Sequence, residues 1–512
     1  MNNKVIEYLN KNYKYGIPQT DMYEQIDVWN SWYKNDVDFH NYKDSYGTTR
    51  QMYSLGMAKR LSEDWGSIIF TEKDEITTTE EKNEKFVEDF IKNIKLTKAL
   101  PEIIEKSAWS GTCGAIIRLK NIQVDRGGRI VPTEKTDYDM VAVDARSILP
   151  LRIEHGKIKD VAFISDTYIG KEQYYYVELH ELKDEGYVIH NIYLNAKNGK
   201  EGIKEGVIKE LHTLSDVPLF SILTPPVVNN IENNLGLGIS IYGNAIDQLK
   251  DCDIKYHNSV MDFVLGGKKL IYNKKLIKYG TKQIKQANGE YKTEEYPIYP
   301  DDISKQQFME IGDALSKDEL IKEYNPELRA EEDKAGLQFS LDLLSFKCNM
   351  GTKYYEFSGG TVVTATQYAG DRQDLVKNAT KYRNNLDEFI EDIIKAGLLL
   401  GRTIFGENVT EDCDVEVINK DGILVSDEEV KQNYLDEISA GLRSKTSYLM
   451  KFYGMSEEEA LEELQLIQDE ESGELFQEEY EDEEEPEEEF TEDDMADLEN
   501  MLQETEDMMG DE

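Results

Sequence analysis

From Thr364 to Gly401 the apolar residues keep a helical spacing without a break: Leu375, Ala379, Tyr382, Leu386, Phe389 or Ile390, Ile393, then Leu398-Leu399-Leu400. Thr364-Ala365-Thr366-Gln367 fits a capping box, with Thr364 as N-cap, Gln367 reaching back to it, and Val363 and Tyr368 at the staple positions. At about 1.5 Å per residue this helix is roughly 50 Å long. That is long for a globular domain, so the rest of the chain must be organised around it. Gly370, in its first turns, is a candidate kink.

A second helix is expected just before it. Asn325-Pro326 supplies an N-cap and a first-turn proline. Leu337, Leu341 and Leu344 then share one face, with Phe339, Leu343 and Phe346 beside them, and the pattern fades near Met350-Gly351. The stretch between the helices is aromatic and β-branched around a double glycine: Glu356, Phe357, Ser358, Gly359, Gly360, Thr361, Val362, Val363. It reads as extended or looped, with a flexible tip.

The 512 residues carry a net charge of −45, unevenly placed. Lys451 is the last basic residue, and 29 acids follow it; the chain before that point holds 74 acids against 58 bases. Binding nucleic acid by neutralising phosphates is therefore disfavoured for the chain as a whole. From about Asp469 the sequence is low-complexity acid and is expected to be disordered. Cys113, Cys252, Cys348 and Cys413 are scattered, with no ligand spacing; they read as buried, reduced cysteines of a cytoplasmically made protein. The N-terminus has no apolar signal core and no apolar run approaches membrane-spanning length, so neither a secreted nor a membrane-inserted chain is expected.

In order, residues 1–110 read as amphipathic helices. One aromatic stripe is Ile26, Trp29, Trp32 and Tyr33; another is Phe86, Phe90, Ile91 and Ile94, followed by Leu100, Ile103, Ile104 and Trp109. Residues 114–228 switch to a two-residue period in six runs (AIIRL, MVAVD, ILPLRI, DVAFIS, YYYVELHEL, YVIHNIYL), which predicts antiparallel strands, in a meander, ended by Pro225-Pro226. A long helix is expected over 236–265, carried by Tyr242, Ile246, Leu249, Tyr256, Val260 and Phe263 and stopped by Gly266-Gly267. Gly266 to Lys292 then holds eight lysines and one acid, Glu290. This island is either a solvated face or a docking surface for an acidic partner or phosphates; LIYNKKLI and EEYPIYP suggest strands within a small folded insert. After Gly401, DVEVINKDG suggests a hairpin arm. Helices starting at Ser426 and Ser456 follow, with Leu442, Tyr448, Leu449, Leu461 and Leu464 as the face to bury.

Catalytic signatures are weak. Gly236-Leu237-Gly238 has no third glycine and no preceding strand, there is no Walker loop, and His180-Glu181 has no partner histidine at the zinc spacing. Cys113 in SGTCGA reads as a core position. No enzyme, metal or cofactor is expected.

The order of elements, with LGISIYGNAIDQLKDCDIKYHNSV at 237–260 and GTVVTATQYAGDRQDLVKNATKYRNNLDEFIEDII at 360–394, resembles the portal proteins of tailed bacteriophages, in the branch of siphophages infecting Gram-positive bacteria. The resemblance covers about 1–465. Gln367 stands where many relatives have Glu. It implies an α+β portal fold, assembled as a ring, typically a dodecamer, at one capsid vertex of the virion. The wing would be 1–235, joined by the long helix 367–401; the stem helices 236–265 and 327–350; the clip 266–326; the tunnel loop 351–366; the crown 402–468. The tail 469–512 is not part of the family pattern.

By the same resemblance, double-stranded DNA passes through the ring without sequence recognition. Partners would be terminase, a head-completion adaptor, and the major capsid and scaffolding proteins. Lys268, Lys269, Lys274, Lys275, Lys278, Lys282 and Lys285 would face the docking partners or the entering DNA, and Asp247, Asp251, Glu331, Glu332 and Asp342 are candidates to line the channel. The alternative is a non-viral acidic scaffold or adaptor, which explains the tail but not a lysine-rich insert between paired helices.

Overall fold

Five helices lead the chain in the computed structural model: α1 (Asn3–Tyr13), α2 (Met22–Tyr33), α3 (Met57–Ile69), α4 (Glu81–Ile94) and α5 (Leu96–Ser110). The structure describes residues 3–18, 20–43, 47–70, 75–202, 206–232, 236–266, 269–273, 279–285, 291–297, 308–311, 321–356, 365–418 and 427–472. The expected aromatic stripes do face inward. Ile26, Trp29 and Trp32 are buried, and Tyr33 stacks on Trp109 with ring centroids 5.1 Å apart. Between α2 and α3 two short strands, β1 (Asn41–Lys43) and β2 (Thr49–Gln51), pair antiparallel with every residue exposed. A third, β3 (Glu75–Thr78), follows α3.

The chain then turns to strands: β4 (Cys113–Lys120), a ribbon of β5 (Gln123–Val124) and β6 (Ile130–Val131), β7 (Asp137–Asp144), β8 (Ile148–Glu154), β9 (Lys157–Ile169), β10 (Glu172–Lys183), β11 (Gly186–Asn195), β12 (Glu201–Gly202), β13 (Glu210–His212) and β14 (Phe220–Leu223). All six two-residue-period runs form strands. The meander is present as β8-β9-β10-β11-β12, antiparallel throughout, with β13 also on β11. A smaller sheet takes the order β14-β4-β7. The β8–β9 turn is the two-residue His155-Gly156, both left-handed (φ 51° and 80°), as a tight hairpin requires.

The helix expected over 236–265 is α6 (Ile246–Leu265), which starts ten residues later. Residues 236–245 are instead a buried, non-helical strap. The Gly238 amide donates to Thr112 Oγ1 at 3.0 Å, the Ile241 amide to the Ala108 carbonyl at 2.9 Å, and the Tyr242 hydroxyl to the Trp29 carbonyl at 2.9 Å. These bonds to the first helical layer satisfy the backbone that a helix would otherwise have used, so the glycine pair sits against α5 rather than opening α6. A Cβ on Gly238 would lie 2.3 Å from the Gly111 carbonyl oxygen, so the two backbones touch.

Past α6 an insert follows, whose described residues form the strands β15 (Lys269–Asn273), β16 (Tyr279–Lys285), β17 (Tyr291–Pro297), β18 (Phe308–Ile311) and β19 (Ile321–Tyr324). The chain continues with α7 (Ala330–Lys347), α8 (Ala365–Leu400), a π-helical turn Gly401–Phe405, and β20 (Val415–Ile418). The helix α7 begins four residues after Pro326. Asn325-Pro326 does not cap it, because residues 325–329 carry the chain out of β19 and into the Arg329 contact described below. Its C-terminus forms a Schellman motif, with Asn349 left-handed (φ 63°), the Met350 amide donating to Ser345 and the Asn349 amide to Phe346.

The long helix α8 is continuous from Ala365 through Gly370 to Leu400. Leu375, Ala379, Tyr382, Leu386, Phe389, Ile390 and Ile393 are all buried, and it packs against α3, α4, β4, β14 and β20. Gly397 and Gly401 let it close on α4: a Cβ there would fall 2.5 and 2.6 Å from the Phe90 and Phe86 rings. The segment expected to fold back as a hairpin arm is β20, and it pairs with β3 across the chain. Contacts accordingly divide the chain into Met1–Leu424 and Val425–Glu512, grouping 402–424 with the body.

The second unit holds α9 (Asp427–Ser439), α10 (Lys445–Tyr453) and α11 (Glu457–Ser472). The helix expected at Ser456 is present with a reciprocal cap: the Ser456 amide donates to Glu459 Oε2, and the Glu459 amide to Ser456 Oγ. It runs to Ser472, past the Asp469 at which order was expected to end. Leu442 and Leu461, expected to be buried, are 77% and 53% exposed. Among the described residues no helix is long and apolar enough to cross a membrane.

Candidate functional site

Helices α6 and α7 lie antiparallel, with the insert at one end and the 348–364 connection at the other. Their contact is mixed. Leu249 and Cys252 of α6, Leu341 and Leu344 of α7, and Cys348 just past its end are buried, while the Ser340 hydroxyl donates to Asp251 at 2.6 Å. Asp251 also pairs with Lys255 at 3.2 Å, and the Lys255 ammonium sits 5.5 Å from the Phe339 ring centroid. At the insert end Arg329 donates through Nε and Nη2 to Asp262 Oδ2, at 3.0 and 2.7 Å.

The insert is closed at its base. β15, just after α6, pairs antiparallel with β19, just before α7, in the register Lys269↔Tyr324 to Tyr272↔Ile321; β18 lies parallel on the other side of β15. β16 and β17 form a separate ribbon, in which Lys282 faces Glu294 and pairs with it at 3.7 Å. The lysine island is therefore answered in part by acids from the strand opposite, at a position that lies beyond the window in which the island was counted. Lys269 and Lys285 are placed on β15 and β16; Lys268, Lys274, Lys275 and Lys278 lie outside the described residues.

At the other end the described part of the connection is pinned. The Tyr355 hydroxyl donates to Asp64 Oδ2 of α3 at 2.6 Å, Asp64 pairs with Arg60 at 2.8 Å, and Gln338 of α7 donates to both the Tyr355 carbonyl and Asp342 at 2.8 Å. Asn378 of α8 donates to the Asn349 carbonyl at 3.1 Å, tying the two flanking helices across the connection. Burial pushes the Asp64 carboxyl above its ordinary value despite the bonds from Tyr355 and Arg60. Glu356 is exposed. Phe357, Ser358, Gly359, Gly360, Thr361, Val362, Val363 and Thr364 lie outside the described residues. Ala365 is the first residue of α8, where a Thr364 cap would put it; Gln367 is placed in the first turn.

The acids proposed for a channel face do not behave alike. Asp247 is exposed and pairs with Lys250 at 3.1 Å. Asp251 and Asp342 are engaged as above, within the helix pair and the loop base. Glu331 and Glu332 are exposed in the first turn of α7, at the insert end, where acids complement the helix dipole. Spacing did not reveal a further tether: His40 Nε2 lies 2.9 Å from Asp253 Oδ2, both side chains buried, while the Leu55 amide donates to Asp253 Oδ1 at 2.8 Å. Together they hold the segment carrying β1 and β2 onto α6.

No family model matches the sequence, and no curated protein matches it. Among solved structures, the chain is similar to one from the neck of a native GTA particle computed with C12 symmetry, with a TM-score of 0.38 and 8% identity, covering 83% of this chain and 92% of that one.

A second cluster of buried charged groups lies in the β region. Glu178, 3% exposed, accepts from Arg118 Nε at 2.7 Å, lies 3.1 Å from His180 Nε2, and accepts from the Tyr176 hydroxyl at 3.3 Å. It borders a cavity of about 160 Å³ lined also by Ile117, Tyr176 and Asn191. Both carboxylate oxygens are committed to protein partners, which suits a structural tie between β4 and β10. Burial alone would push this carboxyl up, but the bonds from His180 and Arg118 outweigh it and hold it below the ordinary carboxylate range.

The folded state therefore binds this proton more weakly than the unfolded chain. The stabilisation is present above the ordinary carboxylate value and is lost as the pH falls through the lowered folded value. Glu178→Gln is expected to cost about 1–3 kcal/mol at pH 7, and the difference from the parent chain should shrink below about pH 4, as read by urea titrations at the two pH values. All four cysteines are buried and unbridged, and burial pushes each thiol up, away from nucleophilic use.

Proposed function

We propose that this chain is a portal-type protein whose copies close into a ring, typically a dodecamer, around an axis along which double-stranded DNA is packaged and ejected at a virion's capsid vertex. The observation that carries the reading is the helix pair α6–α7. It bears a separately closed, lysine-bearing insert at one end and a connection with a fixed base about 27 Å away, the length of α7, at the other. The sequence resemblance to portals of siphophages infecting Gram-positive bacteria points the same way. A duplex sliding along its axis must not be gripped, and an acidic or polar lining makes few lasting phosphate contacts. Asp247, Glu331 and Glu332 are available for that lining, and the 357–363 segment would narrow the passage. The insert would meet terminase and later a head-completion adaptor, and the outer body the major capsid and scaffolding proteins. The chain acts as a conduit without catalysis of its own, and hydrolysis of ATP belongs to the motor.

On this reading the exposed apolar stripe of α7 is a surface that copies cover. Phe339 and Phe346 are 64% and 57% exposed, two helical turns apart with Leu343 between them. Native mass measurement and negative-stain imaging of the purified chain are expected to give a ring with a central hole, and Phe339→Asp/Phe346→Asp is expected to shift it towards monomers with its helix content unchanged. A strict monomer at all concentrations overturns the reading. So does a ring in which residues 351–366 lie on the outer rim.

A further inference from the structure

The C-terminal helices form a unit with almost nothing inside it. Among the described side chains of Val425–Glu512, Ala460 alone is fully buried. Leu435, Leu442, Met450, Tyr453, Leu461 and Leu466 are each between 41% and 77% exposed. What packing exists is a half-buried ring cluster: Tyr434 and Phe452 centroids lie 5.1 Å apart and Tyr448 and Phe452 4.8 Å, with Arg443 and Lys451 at 4.1 and 4.6 Å from the Tyr434 ring. Helices of 13, 9 and 16 residues are marginal in water by themselves, and a unit this small needs a real core or an external surface to hold it. Yet the helices carry designed ends, with Ser444 and Ser456 caps and left-handed Gly441 and Gly454 behind α9 and α10. The sequence specifies helices whose described residues do not cover one another.

The charges say what covers them. On α11, Glu458 and Glu462 lie one turn apart, sharing with Leu461 and Leu466 the face opposite Ala460. Among the described residues these acids form no ion pair within the chain. The same is true of Lys431, Lys445 and Lys451 on α9 and α10; Lys431 and Lys451 sit over the rings of Phe452 and Tyr434. So one unit displays an unpaired acidic surface and an unpaired cationic one, each beside exposed apolar side chains, on different helices. Two copies related by a two-fold axis through α11 would set acid against acid. A head-to-tail arrangement sets acid against cation at every contact, and head-to-tail contacts are those that close into rings.

We propose that the C-terminal unit is completed by the same unit of a second copy, the Glu458–Leu461–Glu462 face of α11 on one chain docking on the Lys445 and Lys451 surface of α9–α10 on the next. This rests on the ring reading above and adds which surfaces meet and in which sense.

A charge-swap experiment on the full chain tests it. Lys445→Glu/Lys451→Glu makes both surfaces acidic; Glu458→Lys/Glu462→Lys makes both basic. Each variant alone is expected to exchange backbone amides over 427–468 at least about tenfold faster than the assembled parent chain. An equimolar mixture is expected to restore protection, with the two variants alternating, as read by hydrogen exchange and by native mass of isotopically distinct chains. Protection of 427–468 that persists in both single variants overturns the proposal and assigns the covering surface to the chain itself. Loss in the variants without rescue on mixing also overturns it, in favour of a different partner. If the parent chain never associates, the ring reading fails with it; if rings form and the swaps leave 427–468 unchanged, only this proposal fails.

Discussion

Gly111→Ala is expected to destabilise the folded chain strongly, through one added methyl group. Gly111 closes α5 with φ 81°, a left-handed conformation, and a Cβ there would sit 2.5 Å from the Gly238 carbonyl oxygen and 2.7 Å from two backbone atoms of Ile239. Neither obstacle is a side chain that can swing away. The left-handed penalty of about 1–2 kcal/mol adds to an overpacking cost of about 1–3 kcal/mol. A loss of about 2–5 kcal/mol follows, read as a lowered urea midpoint of the full chain. The damage should spread in a specific direction. The 236–245 strap reaches α6 through bonds to Thr112 and Ala108, so the helix pair loses its mooring as well as its stability. Gly336→Ala in α7 provides the opposite control: nothing lies within 4 Å of the added Cβ, and an alanine in a helix interior should gain about 0.5–1 kcal/mol.

Tyr382→Ala is the second. Tyr382 is fully buried at the centre of the inner face of α8, its ring 5.7 Å from that of Trp65, and its hydroxyl is bonded to Ser107 and to the Ile104 carbonyl of α5 at 3.3 Å. Truncation removes an aromatic ring from a site framed by helices that cannot collapse onto it, and about 3–5 kcal/mol should be lost. Tyr382→Phe keeps the ring and removes only the hydroxyl, for about 1 kcal/mol. If the two variants cost the same, the hydroxyl bonds rather than ring packing anchor α8, and the account given of the core is wrong. Both changes lie far from the insert, so they should lower stability without altering the Lys282–Glu294 ribbon.

These positions also show what was legible in the sequence. The inner face of α8 was, residue by residue, because a helix packed on one side repeats its apolar residues every three or four positions over its whole length. The six strands were legible for the same reason at a period of two. Period failed where backbone bonds to distant residues decided the outcome. Tyr242 continues the stripe of α6 in sequence, but its hydroxyl donates to Trp29 of α2 and the Ile241 amide beside it to Ala108 of α5, and the helix starts only at Ile246. β20 was expected to turn back on itself, whereas its partner β3 is more than 300 residues earlier, beyond the reach of any local pattern.

The candidate site was legible as an order of elements: two helices, an insert and a connection. Its fastenings were not. Asp64–Tyr355, His40–Asp253 and Asp262–Arg329 each join residues that no spacing relates. Phe339 and Phe346 were read only as lying beside the leucine face of α7, because periodicity reports that a residue is apolar and on a given side, and says nothing about whether this chain or another one covers that side.

The two strands that bracket the insert leave and re-enter the helix pair side by side, hydrogen-bonded to each other from Lys269↔Tyr324 inward. The described part of the insert thus meets the helix pair at a two-stranded neck, like a tool held in a chuck. Such a module can be lengthened, shortened or exchanged for one of unrelated sequence while α6 and α7 stay clasped by Asp262 and Arg329. A lineage of these chains can therefore exchange the insert while leaving the surrounding body untouched.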